Sequence, residues 1–381
     1  MLEFVEFILN PEKLSFSFFV LFTLVLLFHY WWFFSRVAWG KDRFNRADNP
    51  QPVSVVICAK NEYENLKKNM PLILDQDYPS YEVILVNDFS EDDSYFLLKS
   101  FEEKHPHFKV VNLRENVNFF AGKKLALAVG IKSARHDTVV LTDADCRPSG
   151  RYWLQAMSAG FTGGKELVLA YGGYRKEPGL LNRIICYDTV TIAMQYLGAA
   201  MAGAPYMGVG RNLAYKRSLF FKAGGFASHY QINSGDDDLF VNKVAKSKNT
   251  AVILSVESFT WSEAKKSFVS WFKQKKRHMS TGAYYKKRDK FRLGLFAFSH
   301  TFFYLALAAF LVLANHPELL YAALGLIFLK VVSLGVLHYY VGKRLDEKKL
   351  FLYSPIFDVI FAFLNPVFAI SNLFFRKNKW K

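Results

Sequence analysis

Cysteine is scarce in this chain. The 381 residues hold three, Cys58, Cys146 and Cys186, with no Cys-x-x-Cys spacing. An odd, scattered count excludes a disulfide framework and a zinc pattern, and it fits a reducing compartment. Charge is thin as well: 22% of residues are charged and 51% are hydrophobic, including 38 Phe and 20 Tyr. Such a composition excludes disorder, and the length allows two or three domains with ample core. Acidic residues are outnumbered, 33 against 49 Lys plus Arg, for a net charge of +16. Basicity combined with a mean hydropathy of +0.07 leaves two classes, a nucleic-acid binder or a protein on an anionic membrane surface.

Residues 14–34 contain no Asp, Glu, Lys or Arg. As a helix they reach roughly 30 Å, the thickness of a bilayer core. A signal peptide is disfavoured by the acidic flank (Glu3, Glu6, Glu12) and by the lack of a small-residue cleavage site after Trp31, Trp32, Phe33 and Phe34. Three more apolar stretches follow: 293–317 without charge, 319–342 with Lys330 alone, and 350–375 with Asp358 alone. Lys330 and Asp358 read as an interhelical structural pair, and His29 and His300 as packed or hydrogen-bonded histidines. Arg36, Lys41, Arg43 and Arg46 on one side, and Lys286, Lys287, Arg288, Lys290 and Arg292 on the other, put residues 36–292 in the cytoplasm by the positive-inside rule. The last stretch stays open. A single crossing leaves Arg376, Lys377, Lys379 and Lys381 outside, whereas a break at Asn365-Pro366 makes a re-entrant or interfacial helix. Residues 189–210 are read as a buried or substrate-facing segment, because Gly198, Gly203, Pro205, Gly208 and Gly210 interrupt a helical pattern. The chain thus divides into an anchor and basic linker (1–48), a cytoplasmic α/β domain (49–263), a basic amphipathic interface segment (264–292) and a C-terminal membrane region (293–381).

Within 49–263, short Val/Ile/Leu runs alternate with helical stretches: 52–59, 82–88, 108–113 and 138–146 as strands, 122–134 among the helices. That alternation predicts a mainly parallel sheet covered on both faces, with ligands at the carboxyl ends of its strands. Three strands end in polar groups: Ala59-Lys60-Asn61-Glu62, Asn87-Asp88 and Asp143-Ala144-Asp145. A turn at a strand end can aim both carboxylates of the last at one hard cation, Mg²⁺ or Mn²⁺, shared with substrate phosphates. A second acidic cluster, Asp236-Asp237-Asp238, exceeds what a helix cap needs, so one member is a candidate general base with a raised pKa. Gln274 and Arg277, at i and i+3, follow Phe268, Trp271 and Phe272 on an amphipathic helix. They could reach a pyrophosphate, while the helix itself could lie on headgroups. Gly208-Val209-Gly210 lacks the third glycine of a dinucleotide fingerprint and is set aside.

In order, VSVVICAKNE, ILVNDFSEDDS, GKKLAL, LTDADC, GVGRNLAYKR, SGDDDLF and QKKRH resemble the motifs of inverting family 2 glycosyltransferases over about residues 52–278. The likeness is to the membrane-associated branch with cellulose and poly-N-acetylglucosamine synthases and ceramide glucosyltransferase. It implies a GT-A fold, a nucleotide-sugar donor and a lipid or glycan acceptor. Ala59, Glu62 and Asp88 would then line the nucleoside pocket and Lys123 would face the nucleotide. Asp143 would hold the ribose side and Asp145 the metal-bridged diphosphate. Asp237 would be the catalytic base with Asp236 before it, a register that could shift by one within the acidic run. Gln274 and Arg277 match the family's Gln-x-x-Arg-Trp motif, with His278 in place of Trp. A processive synthase is the rival within the family, and a membrane-bound nucleic-acid binder the rival outside it. The charge weighs against the latter. Residues 49–263 hold 24 basic and 23 acidic side chains, whereas 264–292 hold eleven basic and one acidic, so the basicity marks a membrane edge and implies no nucleic acid.

Overall fold

The computed structural model describes residues 10–41, 50–113, 122–232 and 234–374. Glu3, Glu6, Arg43, Arg46 and the basic tail lie outside the described residues. Two compact units form, one from Gly40 to Tyr285 and one from the residues through Trp39 together with Lys286–Arg376. The first helix, α1 (Pro11–Trp39), belongs to the second of these and passes through a π turn at Tyr30–Phe34.

In the α/β unit, β1 (Val53–Ala59) leads through α2 (Tyr63–Leu74) to β2 (Tyr81–Asp88), and α3 (Ser94–Lys104) leads to β3 (Phe108–Leu113). After α4 (Lys124–Ser133) the chain returns to the other side of β1 as β4 (Thr138–Asp143). Val53, Val55, Val56 and Ile57 are fully buried, as a parallel strand with helices on both faces demands. The order β3-β2-β1-β4 reverses direction between β1 and β4, and that switch point opens a crevice at their carboxyl ends. Beyond β5 (Cys146–Pro148) and α5 (Trp153–Ser158) come β6 (Leu167–Ala170) and β7 (Gly172–Tyr174). The long helix α6 (Leu180–Met201) follows, then β8 (Leu213–Lys216), α7 (Arg217–Lys222), α8 (Asp238–Val244), β9 (Thr250–Ile253), β10 (Thr260–Ser262) and α9 (Phe268–Ser280). The large sheet is completed as β4-β8-β6-β9, with β8 antiparallel to both neighbours, so it is mixed and mainly parallel. A second sheet, β5-β10-β7, stands beside its carboxyl end.

One expectation fails in this unit. The glycines after residue 189 do not interrupt a helix at Gly198; α6 runs through it and stops only before Gly203, whose φ is +82°. An interior glycine costs about 1 kcal/mol, which burial of Tyr187, Val190, Met194 and Leu197 outweighs. Tyr196 Oη also donates to the Ala170 carbonyl at 2.9 Å. The segment is buried within the α/β unit, as read from sequence, yet its length and composition alone would suffice to cross a membrane.

The helical unit packs α1 against α10 (Lys287–Leu313) and α11 (Pro317–Arg344), and α12 (Ser354–Phe374) against α10 and α11. Among the described residues these four and α6 are the helices long and apolar enough to span a bilayer. Glu12 Oε1 accepts from the backbone N–H groups of Asn315 and His316 at 2.9 and 3.0 Å, tying the start of α1 to the α10–α11 turn. Lys330 and Asp358 do pair, and two more side chains join them: His300 Nε2 lies 3.0 Å from Asp358 Oδ1, and Tyr304 Oη donates to Asp358 Oδ2 at 2.6 Å. The Lys330 ammonium also donates to Tyr304 Oη at 2.8 Å. Pro366 does not end α12, which passes through it. His300 meets Asp358, Thr301 meets Ala362 and the Tyr304 ring lies tilted 6.1 Å from that of Phe363, so α12 runs parallel to α10 and ends toward the side of the Asn315 turn.

Candidate functional site

The carboxyl ends of β1, β2 and β4 supply the floor of the site. Register places Ala59 beside Asn87, and Cys58 beside Asp143. The loops after β1 and β2 lock to each other: Asn61 N–H donates to Ser90 Oγ at 3.0 Å, and Glu91 N–H to Asn61 Oδ1 at 2.8 Å. Asn61 and Phe89 both adopt positive φ (54° and 55°), backbone strain that this mutual grip maintains. Asp88 has its carboxyl raised by burial, tempered by Lys60. The Cys58 thiol sits among Lys123, Asp143, Asp236 and Asp88, and burial pushes it up to about 12, which leaves it inert.

Asp143 and Asp145 differ in state although two residues apart. Burial would raise Asp143, but the Lys123 ammonium bonded to it, with Arg211 and Arg277, holds its carboxyl below the ordinary range. Asp145 feels Arg211 and Lys123 as well, but less than it feels burial and the Asp143 charge. Burial and the Asp143 charge raise it, and Glu62 is raised by its own burial with Asp145 adding to it. A carboxylate pair short of positive charge is a fit for a hard divalent cation. Oxygen donors of Asp143 and Asp145 and the Cys146 sulfur lie within 4.8 Å of one another. Cys146 is a poor candidate ligand, since burial keeps it a thiol, with Sγ 3.0 Å from Ser262 Oγ.

The three consecutive aspartates separate cleanly. Asp238 turns inward, accepting from Tyr285 Oη at 2.7 Å and from Thr281 Oγ1. Asp237 caps α8 and accepts from Gly210 N–H and Asp238 N–H, each at 2.7 Å. A Cβ on Gly210 would stand 3.3 Å from that carboxylate, so glycine keeps the approach open. Burial, then the charges of Asp236 and Asp238, lift the Asp237 carboxyl to about 8 despite the two N–H groups. Lys124 steadies the loop before them, donating to the carbonyls of Ile232 and Ser234, the latter at 2.7 Å. Helix α9 brings the remaining pair: Gln274 Nε2 donates to Tyr174 Oη at 3.3 Å, and the Arg277 charge bears on Asp143. His278 stands where the resemblance led one to expect Trp; it is exposed, with its Nε2 3.5 Å from Arg277 Nη2.

Asp88, Lys123, Asp143 and Asp236 thus surround Cys58, Glu62 neighbours Asp145 and Arg277 acts on Asp143, whereas Ala59 is tied only to Asn87 by register and Gln274 to Tyr174. Arg211 was missed. Its guanidinium lies 4.4 Å from the Tyr174 ring centroid and its charge acts on both Asp143 and Asp145. The signal was present in GVGRNLAYKR, but only the fold brings that segment beside β4. Gly172 makes room for it, since a Cβ there would lie 2.8 Å from Arg211 Cγ.

Residues 54–221 match the family model described as Glycosyl transferase family 2. This segment is a family 2 glycosyltransferase domain. The chain is 30% identical over 118 residues to a poly-beta-1,6-N-acetyl-D-glucosamine synthase of Staphylococcus epidermidis, a match covering 30% of this chain and only 27% of that relative. An uncharacterised glycosyltransferase of Synechocystis matches over 78% of this chain and 92% of its own, at 25% identity. Among solved structures, a mannosyltransferase of Pyrobaculum calidifontis in complex with GDP-Man and Mn²⁺ aligns over 92% of this chain and 99% of that one. Its TM-score of 0.58 at 20% identity shows a shared GT-A fold.

Proposed function

We propose that the protein moves a sugar, with inversion, from a nucleoside-diphosphate donor to a hydroxyl of a lipid or membrane-proximal acceptor. The observation that supports this reading is Asp237, a half-buried carboxylate aimed by the N–H groups of Gly210 and Asp238 and lifted to about 8, where Gly210 adjoins Arg211, whose charge acts on Asp143 and Asp145. A carboxylate with that pKa can take a hydroxyl proton near neutral pH. As the acceptor oxygen loses its proton to Asp237 and bonds to the anomeric carbon, the bond to the diphosphate oxygen breaks on the opposite face. The leaving diphosphate keeps the electron pair, and Arg277 and Arg211 oppose its charge. Ala59, Glu62 and Asp88 line the nucleoside end, with Gln274 toward the diphosphate. Mg²⁺ or Mn²⁺ held by Asp145 together with Asp143 would supply further positive charge against the leaving group. The α/β unit faces the cytoplasm, α1, α10, α11 and α12 cross the membrane, and the exposed Phe268 and Val269 of α9 rest on anionic lipid.

The test is Asp237→Asn in the full-length protein, supplied with Mn²⁺ and a panel of nucleotide sugars. Diphosphate release should vanish while donor binding persists; retained turnover would remove Asp237 from the role. A polymerising synthase is the second reading, favoured by the Staphylococcus relative, and product length by mass spectrometry separates the two.

A further inference from the structure

An aspartate in the middle of a buried, apolar helix calls for a partner. Asp188 of α6 is 7% exposed, and Lys275 of α9, 8% exposed, donates to both its carboxylate oxygens at 2.5 and 2.7 Å. A buried pair of this kind contributes little net stability compared with apolar residues of the same shape, so its value lies in geometry. That geometry concerns the rotation of α9 about its own axis. At 100° per residue, Arg277, Gln274, His278, Trp271 and Lys275 occupy one arc in that order, with Arg277 at one edge and Lys275 at the other. Trp271 and Lys275, 3% and 8% exposed, bury that edge of the arc, while Gln274 and Arg277 at the other are half-buried and His278 between the two edges is exposed. Any rotation that releases Lys275 from Asp188 also turns Gln274 off Tyr174 and Arg277 away from the crevice.

We propose that Lys275 and Asp188 are positioning residues for transfer: their ion pair sets the rotation of α9 so that Gln274 and Arg277 face the Asp143–Asp145 end of β4. The proposal rests on the glycosyl-transfer reading for its kinetic consequence but not for its geometric one. Neither residue touches the reacting atoms, and Lys275 lies between the two motif residues that do the facing.

Two readouts in the full-length protein test it. First, cysteines at Tyr174→Cys and Gln274→Cys, whose native side chains meet tip to tip at 3.3 Å and so stand too far apart for a disulfide, are bridged with a short, rigid bis-maleimide. Adding Lys275→Met should lower the cross-linking yield about fivefold, because a linker of fixed length spans only the native rotation of α9. Second, Asp188→Leu/Lys275→Met removes both charges while keeping apolar volume, which guards against misfolding of the single variants. Its unfolding midpoint should match the parent, with kcat down at least about tenfold and donor KM within about twofold, since Arg277 acts on charge that develops in the transition state. The exchanged pair Asp188→Lys/Lys275→Asp should recover part of that kcat. Unchanged cross-linking in Lys275→Met, or wild-type kcat in the double apolar variant, would overturn the proposal. If the wild type releases diphosphate from no nucleotide sugar while cross-linking still responds to Lys275→Met, the transfer reading fails and the positioning stands.

Discussion

Both units bury aspartates, yet treat them in opposite ways. In the helical unit Asp358 is enclosed by Lys330, His300 and Tyr304, so each carboxylate oxygen has donors and the positive charge at hand matches the negative. In the α/β unit Asp143, Asp145, Asp236, Asp237 and Asp238 gather at one end of a sheet, and several have their carboxyls raised by burial and by one another. A balanced cluster holds helices together. An unbalanced one is held in place by the fold and waits for charge from outside, which is the signature expected of a site for a cation and a diphosphate.

The largest test of that contrast is catalytic. Asp237→Asn should reduce turnover by about 10³-fold, within the range for loss of a general base, with donor affinity changed by less than about twofold. A smaller but sharper test replaces one aspartate with asparagine in each unit. Asp358→Asn should destabilise by about 3 kcal/mol by leaving the Lys330 charge without its carboxylate. Asp145→Asn should instead leave stability unchanged or raise it by up to ~1 kcal/mol, while abolishing the response to Mn²⁺. Equal losses at both positions would dissolve the distinction. Next comes pH. Asp237 must be unprotonated to act, and its folded pKa is raised to about 8, so activity is lost as pH falls through that value and gained above it. Turnover should rise about tenfold from pH 7 to 9, and a flat profile would remove Asp237 as the titrating base. The smallest effect is on topology. Asn315→Cys and Asn372→Cys should both react with a membrane-impermeant maleimide from the same side, without loss of turnover, because α12 runs parallel to α10. Labelling from opposite sides would make α12 re-entrant.

The strand ends were legible because a buried parallel strand is a continuous apolar run, and a polar residue closing it must lie at the sheet's edge. Thus Ala59, Asp88, Asp143 and Asp145 could be placed from pattern alone. Helix breaks were less legible: Gly198 and Pro366 both lie within helices, since tertiary burial outweighs a local propensity of a kcal/mol or a few. Arg211 escaped notice because nothing local distinguishes an arginine before an apolar strand from any other.

Sequence alone determined the long apolar segments, the mainly parallel sheet and the acidic residues at its carboxyl end, because these follow from periodicity and from where polarity interrupts it. It could not separate three adjacent aspartates. Only the tertiary structure did so, by turning Asp238 to Tyr285 and Thr281 and by aiming the N–H of Gly210 at Asp237. Neighbours in the chain share composition and propensity, but partners brought from 27 and 47 residues away decide which carboxylate is tied down and which faces the crevice.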